Sequence, residues 1–259
     1  MSQGMRQTVA VVMAKFPVAG LVKSRLCLSG AMTTEEAAQV ARLMLRCIVL
    51  RVGQRWPTIV ATSPDQDVAH MKDLLSDLPT HHSLVVIGQG EGTLGERMDR
   101  VWRQHVKSGS IVFFGGDSPD VPERYLDLMD SFLADGADGP AAIGHAPDGG
   151  YWALASRCYM PALLEDIPWS SQTVFEVTCQ RLRQSGHEPV VLPTWPDVDT
   201  FEDLQNLLER LSETNFEGLS GDWSEPRGRG GYHESTLQVM EALRQGIGKL
   251  LLKRDPESD

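Results

Sequence analysis

The sequence predicts an α/β fold with a mostly parallel sheet, and the order of its apolar and amphipathic segments is the basis for this prediction. Short apolar runs, typical of buried strands, lie at residues 8–14, 57–62, 83–88 and 111–114. Segments with helical features separate these runs. Strands and helices that alternate in this way form right-handed βαβ units, which place successive strands parallel in one sheet.

The helices of the first half are marked by their starting residues. The segment 33–36 (TTEE) is a capping box and predicts a helix that continues to about residue 52. A short helix is expected after Asp65, and a longer one over about 93–107. Another is expected from about Pro122, because proline is favoured in the first turn of a helix.

The pattern changes after residue 138 and predicts an irregular second half of the sheet. Two strands, 141–143 and 151–154, flank a turn at 148–150. A helix over about 171–185 and a strand over 189–192 follow. The last helix of this part begins near Thr200, which can cap it together with Asp203.

The chain is predicted to form one domain over residues 1–211 and an extension over 212–259. Residues 212–232 are rich in glycine, serine and charge, which is typical of a linker. Apolar residues at helical spacing from Leu237 to Leu250 predict an amphipathic helix. We expect this helix to pack on the domain or to form a homodimer contact, and we prefer both to membrane binding.

Composition excludes some classes of function. The 259 residues carry a formal net charge of −11, which argues against a general nucleic-acid-binding protein. An anionic substrate would therefore need a local cluster of cations or a metal ion. The four cysteines are scattered and form no C-x-x-C pair, which favours reduced thiols and a cytoplasmic location. No apolar run is typical of a signal peptide or a membrane span.

The most informative carboxylate is Asp117, which follows the apolar run 111–114 and two glycines. Open α/β sheets bind their ligands at the carboxyl ends of strands, so this position favours a functional acid. Carboxylates in such a loop suit Mg²⁺ or Mn²⁺. The neighbouring Asp120 is interpreted as the cap of the helix that starts near Pro122.

The loop after the first strand contains three cations, Lys15, Lys23 and Arg25, with Gly20 allowing a turn between them. Cations in this position can bind phosphates, and arginine can do so through two hydrogen bonds. The loop is not a Walker motif, because no G-K-[ST] follows at the required spacing.

A competing interpretation comes from the segment 90–95 (GEGTLG), which has the G-x-G-x-x-G spacing of a dinucleotide-binding loop. It follows the third strand rather than the first, and Glu91 would lie where a pyrophosphate approaches. The cations are on another loop. A dehydrogenase is therefore the less favoured alternative.

Two further groups of acids have both structural and functional interpretations. Asp199 could supply a second metal carboxylate beside Asp117, or it could cap the helix near Thr200. Asp148 lies in a tight turn before Tyr151, where an ordinary hairpin is the simpler interpretation. Its functional alternative is acceptor binding, or a general base that deprotonates an acceptor hydroxyl.

Seven short motifs occur in order along the chain, at 14–17 with Gly20, 23–26, 94–98, 116–120, 148–151, 169–170 and 197–200. Together they resemble the DUF2064 family of GT-A-type, nucleotide-diphospho-sugar-transferase-like proteins. The resemblance extends over about residues 8–210. Ser24 and Gly116 stand where the family more often has threonine, and neither change removes a predicted ligand.

The resemblance implies a single three-layer GT-A fold with a mixed, mostly parallel sheet and a nucleotide across the first loop. It makes Asp117 and Asp199 the ligands of Mg²⁺ or Mn²⁺. Combined with the chemistry of the residues themselves, this predicts Asp117, Asp148 and Lys23 as the catalytic residues. Two larger sets complete the site. The nucleotide-binding set is Ala14, Lys15, Gly20, Lys23, Arg25, Gly92 and Gly95, and the acceptor-binding set is Asp148, Gly149, Tyr151 and Trp169.

The function implied is a metal-dependent transferase that uses a nucleotide-activated donor and a small-molecule acceptor. A glycosyltransferase is the first expectation. The alternative is a nucleotidyltransferase that takes an NTP and releases pyrophosphate, which the cationic first loop favours. A nucleotide-binding protein without turnover is less favoured, since the acids and cations are intact.

Overall fold

One mixed sheet organises the part of the chain that the structure describes. The computed structural model describes residues 8–106, 109–134, 140–213 and 234–252. In these ranges the strands are β1 (Thr8–Lys15), β2 (Thr58–Ser63), β3 (Leu84–Gly88), β4 (Ser110–Gly115), β5 (Ala141–His145), β6 (Tyr151–Ser156) and β7 (Val190–Leu192).

The strand order is β3-β2-β1-β4-β6-β5-β7. Strand β6 runs antiparallel to both of its neighbours, β4 and β5. The remaining neighbours pair in parallel. The predicted mixed, mostly parallel α/β sheet is therefore confirmed, and the reversal occurs where the sequence pattern changes.

Helices cover both faces of the sheet. They are α1 (Thr34–Gly53), α2 (Val68–Leu75), α3 (Leu94–His105), α4 (Glu123–Ala134), α5 (Val174–Gln184), α6 (Phe201–Glu213) and α7 (Glu234–Leu252). Successive residues of β1 face opposite sides, as in any strand. Ala10 and Val12 pack in a core with α1, α2 and α4, whereas Val11 packs in a second core with α3 and α5. The result is a three-layer α/β architecture.

The C-terminal helix α7 packs on the outer side of α1 together with α6. The apolar face predicted for it is buried in a third cluster that includes Met240, Leu243 and Ile247. Gly246 allows close contact, since a Cβ there would lie 2.6 Å from Cδ1 of Leu43. The predicted linker lies almost entirely outside the described residues. No helix in the described ranges is long and apolar enough to cross a bilayer.

The starts of the helices follow the sequence signals closely. The capping box of α1 forms, with Thr33 and Glu36 accepting from each other's backbone N–H groups. Thr200 and Asp203 bond in the same reciprocal way at the start of α6. The first loop contains a short 3₁₀ helix, Ser24–Cys27, that the sequence did not predict; it buries Leu26 completely.

The interpretation of Asp120 as a helix cap is wrong. Its buried carboxylate accepts hydrogen bonds from Nε of Arg210 on α6, at 2.6 Å, and from Nε1 of Trp195, at 3.2 Å. These partners are 75 and 90 residues away in the sequence. Asp120 thus ties the loop after β4 to α6, a long-range role that local spacing cannot indicate.

Candidate functional site

A cleft of about 390 Å³ lies at the carboxyl ends of β1 and β4. Its walls come from the first loop, from α1, and from the segments before α4 and α6. Open α/β sheets bind ligands at this edge. The charged side chains that line it are Lys15, Lys23, Arg25, Asp117 and Asp199.

The ammonium group of Lys23 lies in this cleft, between two of its acids. Its Nζ lies 2.5 Å from Oδ1 of Asp117 and 3.0 Å from Oδ1 of Asp199. It also donates to the carbonyl of Val198, at 2.6 Å. Two acids that are 82 residues apart in the chain thus converge on one cation.

The conformation and surroundings of Lys23 fit this central position. Its backbone is left-handed, with φ of 49°, which is uncommon for a residue with a side chain and often marks a functional site. Burial disfavours the charged ammonium, but attraction to Asp117 and Asp199 outweighs burial and raises the pKa of Lys23. Lys23 therefore remains a cation at neutral pH.

Backbone contacts hold the two acid-bearing segments side by side. The N–H of Val198 donates to the carbonyl of Asp117, at 2.9 Å. Arg25 reaches the outer side of the pair, with its Nη1 3.2 Å from Oδ2 of Asp199. Asp199 is therefore part of the ion-pair cluster, while its backbone N–H donates to Asp203 at the start of α6.

Asp197 and Asp148 complete an acidic group around Asp117 and Asp199. Burial raises the pKa of the Asp197 carboxyl to about 6, and repulsion from Asp148, Asp199 and Asp117 adds to the effect. Asp148 is therefore within electrostatic range of Asp197, although neither of these two acids lines the cleft. Asp197 is the first residue of the motif 197–200, and the sequence alone predicts no role for it.

The donor atoms of this group suit a hard divalent cation. Mg²⁺ commonly takes one or two protein carboxylates and completes its shell with phosphate oxygens and water. Asp117 and Asp199 already bind one positive charge between them. No set of three or more His, Cys, Asp or Glu side chains in the described ranges is arranged to hold a metal ion by itself. A metal there would need oxygen atoms from a ligand.

The rest of the first loop is anchored from two sides. Nη2 of Arg42 on α1 donates to the carbonyl of Pro17, at 3.3 Å. The buried amide of Gln89 donates to the carbonyl of Ala14, at 3.1 Å. Gly20 follows both anchored residues in the chain; it adopts φ of +78° and does not line the cleft, whereas Ala14 does.

Gly92 and Gly95 lie outside the cleft, although both are in the predicted nucleotide-binding set. A Cβ on Gly95 would lie 2.3 Å from the carbonyl oxygen of Leu164 and 2.6 Å from Nε1 of Trp169, so this glycine permits close packing. The first turn of α3 is already capped by Thr93 and Glu96. A dinucleotide pyrophosphate would bind to the N–H groups at the start of this helix. Side chains of the protein itself already bond to N–H groups there.

The predicted acceptor-binding residues form a packed group beside the hairpin turn. The carboxylate of Asp148 is exposed and accepts a bond from the N–H of Gly150, at 2.8 Å. The rings of Tyr151 and Trp169 meet edge to face with centroids 6.2 Å apart. The Tyr151 hydroxyl is buried, and burial raises its pKa far above the usual value, so a tyrosinate base is excluded.

Gly149 fixes this hairpin against the segment before α5, and its replacement by alanine is expected to destabilise the fold. A Cβ there would lie 1.9 Å from the carbonyl oxygen of Gln172. Gly149 and Gly186 both have positive φ, but nothing lies within 4 Å of a Cβ at Gly186. We expect Gly149→Ala to lose about 1–3 kcal/mol more stability than Gly186→Ala in urea unfolding. Equal losses would show that the contact with Gln172 adjusts without cost.

Comparisons with known proteins agree with this fold and part of the motif pattern. The family model described as "Uncharacterized protein conserved in bacteria (DUF2064)" matches residues 48–171, which confirms the resemblance found in the sequence. The search of curated proteins found no match.

Three solved structures match nearly the whole chain. A protein from Desulfovibrio desulfuricans G20, provisionally described as a nucleotide-diphospho-sugar transferase, is 25% identical, with a TM-score of 0.72 over 95% of this chain and 99% of that one. A cytidylyltransferase from Leptospira borgpetersenii is 12% identical, with a TM-score of 0.49 over 95% and 97%. The inositol-1-phosphate CTP transferase from T. maritima is also 12% identical, with a TM-score of 0.49 over 95% and 99%. The first of these shows that the chain has the nucleotide-diphospho-sugar transferase fold.

Proposed function

We propose that this chain, which matches DUF2064 over residues 48–171, is a divalent-metal-dependent transferase that uses a nucleotide-activated donor. The observation that carries the proposal is the convergence of Asp117 and Asp199 on the Lys23 ammonium in a cleft with two more cations. The first expectation is a glycosyltransferase acting on a nucleotide-diphospho-sugar. The similarity to the Desulfovibrio protein supports that choice.

The cations of the cleft would bind the diphosphate of the donor. Lys15, Lys23 and Arg25 all line it, and together they offset the acids locally in a chain of net charge −11. Arg25 can bind two phosphate oxygens at once, while the lysines act as point charges. The Lys23 ammonium contacts both Asp117 and Asp199. If it moves to contact a phosphate of the donor, another cation must take its place between the two carboxylates.

Asp117 and Asp199 would hold that replacement cation, Mg²⁺ or Mn²⁺. When bound, the metal would neutralise charge on the diphosphate leaving group. The carboxylate oxygens are hard ligands of the kind these ions prefer. The Lys23 ammonium would then donate hydrogen bonds to the phosphate oxygens.

Asp148 is the candidate general base for the acceptor. Its carboxylate is exposed and lies close enough to Asp197 to raise the pKa of that carboxyl. In glycosyl transfer, the acceptor oxygen forms a bond to the sugar C1 as the bond from C1 to the diphosphate oxygen breaks. Asp148 would take the acceptor's proton, and the nucleoside diphosphate would leave.

Nucleotidyl transfer is the second candidate, and the three cations favour it because a triphosphate carries more charge than a diphosphate. In that reaction an acceptor oxygen attacks the α-phosphorus of an NTP and pyrophosphate leaves. The same acids and cations would serve. The two reactions differ in their products, so a product assay separates them.

A thermal-shift panel of NTPs and nucleotide sugars, each with Mg²⁺, Mn²⁺ or EDTA, tests the proposal. A ligand at 100 times its dissociation constant should stabilise the protein by about 2.7 kcal/mol. We expect stabilisation that requires the metal. The compound that stabilises the protein is then incubated with candidate acceptors. The assay measures whether nucleoside diphosphate or pyrophosphate is released.

The panel has clear contrary outcomes. If no nucleotide raises the melting temperature with either metal, the proposed donor is wrong. If stabilisation is the same in EDTA, the metal part is wrong while nucleotide binding stands. Stabilisation by NADH instead would revive the dehydrogenase alternative.

A further inference from the structure

An arginine lies fully buried behind the loop that carries Asp117. Arg51 is in the last turn of α1 and is only 1% exposed. Arginine is rarely buried to this extent unless its donors are bound, because desolvating a charge is costly. The contacts of Arg51 therefore indicate what it does.

The guanidinium of Arg51 binds the backbone of the loop between β4 and α4. Its Nη1 donates to the carbonyl of Pro119, at 2.5 Å, and its Nη2 donates to the carbonyl of Val121. Both residues are buried, so their carbonyls need partners within the protein. The Pro119 carbonyl also accepts a weak bond from the Cys47 thiol, at 3.6 Å, and Arg51 adds a charged donor to each carbonyl. Glu123 accepts from Nε and Nη2 of Arg51, at 3.2 and 2.8 Å, and balances its charge.

The loop bound by Arg51 begins at the exposed end of the candidate site. Asp117 is half exposed, while Ser118, Pro119, Asp120 and Val121 behind it are buried. Arg210 holds Asp120 on the side of α6, and Arg51 holds the two carbonyls on the side of α1. Asp117 is therefore at the tip of a segment whose backbone is fixed from two directions.

A neighbouring arginine shares the acidic partner of Arg51 but does not bind the loop carbonyls in the same way. Nη2 of Arg55 lies 2.6 Å from Glu123 and 2.8 Å from Asp127, and its Nη1 lies 2.7 Å from Asp130. Arg55 thus contributes to the same buried charge cluster. Comparison of the two arginines can separate support of the loop from general stabilisation.

We propose that Arg51 is a positioning residue that sets the place of the Asp117 carboxylate by holding the carbonyls of Pro119 and Val121. The proposal rests on the proposed function in so far as Asp117 binds the metal. Arg51 itself touches neither donor nor metal. It acts through the backbone, as outer-shell partners of metal ligands do.

The test compares Arg51→Gln with Arg55→Gln in the full-length protein. Each variant loses a partner of Glu123, but only Arg51→Gln removes the two loop contacts. Calorimetric titration with Mn²⁺ alone should show affinity about 10- to 100-fold lower for Arg51→Gln, and close to wild type for Arg55→Gln. Both titrations are made well below the melting temperature of each variant.

Hydrogen exchange supplies a readout that needs no metal. In Arg51→Gln the amides of residues 116–121, and the Val198 amide that bonds to the carbonyl of Asp117, should exchange faster than in Arg55→Gln. A purely stabilising role would speed exchange at both variants in proportion to their loss of global stability. It would not single out this loop.

The outcomes separate the two proposals. Equal Mn²⁺ affinity and equal loop exchange in the two variants would overturn the role of Arg51. No Mn²⁺ binding by the wild type would reject the proposed metal site, and the exchange data alone would then decide whether Arg51 positions the loop. If Arg51→Gln does not fold, Arg51→Lys keeps the charge with fewer donors and should show intermediate affinity and exchange. Wild-type values in that variant would contradict the proposal.

Discussion

Replacement of Asp117 by asparagine is expected to lower the affinity for Mn²⁺ by at least about 100-fold, since loss of an outer-shell partner alone costs about 10- to 100-fold. The amide keeps the shape of the side chain but removes the negative charge that faces the Lys23 ammonium at 2.5 Å. Turnover of the nucleotide donor should fall by at least about 100-fold as well, the size of effect seen when one transition-state contact is removed.

The fold should tolerate this change. Asp117 is 51% exposed, and Lys23 keeps its contact with Asp199, so we expect only a small shift in melting temperature. Asp166→Asn is a matched control, because Asp166 is an exposed acid that pairs with Arg181 away from the cleft. Titration calorimetry measures both variants. Wild-type Mn²⁺ affinity in Asp117→Asn would remove Asp117 from the metal site.

Replacement of Lys23 by methionine is expected to have opposite effects on metal binding and on turnover. The Lys23 ammonium lies between Asp117 and Asp199, where it would compete with a metal cation. Without it, Mn²⁺ alone should bind about 10-fold more tightly, a change of about 1.4 kcal/mol. Turnover should fall by about 10²- to 10³-fold, because the donor phosphates lose a charged donor.

Lys15→Met is the matched control for this experiment. Lys15 lines the same cleft, but the ion pairs to Asp117 and Asp199 are made by Lys23 and Arg25. We expect Lys15→Met to weaken nucleotide binding and to leave the affinity for Mn²⁺ alone unchanged. Unchanged Mn²⁺ affinity in Lys23→Met would show that the ammonium does not share the cation site.

The order of the elements was predictable because it depends on short stretches of sequence. The apolar run 111–114 is buried on both faces of the sheet as β4, and the TTEE segment caps α1 as expected. The strand-end position of Asp117 was predictable for the same reason, since a buried strand followed by glycines ends at the ligand-binding edge of an α/β sheet.

The partners across the site were not predictable from spacing. Nothing local indicates that Asp120 pairs with Arg210, or that Gly95 packs closely against Leu164 and Trp169. Arg51 did leave a signal, because it interrupts the apolar run from Cys47 to Val52 on α1. A charged residue in such a run indicates a buried ion pair, but the carbonyls it binds belong to another loop.

The sequence by itself determined the α/β class, the helix starts, and the cations and acids that could serve a phosphate site. These features follow from local propensity, periodicity and capping, which act over a few residues. Only the tertiary structure decided that Lys23 binds both Asp117 and Asp199 and that Arg51 binds the loop between Asp117 and α4. Such contacts join segments tens of residues apart, and the packing of helices on the sheet determines which of them meet.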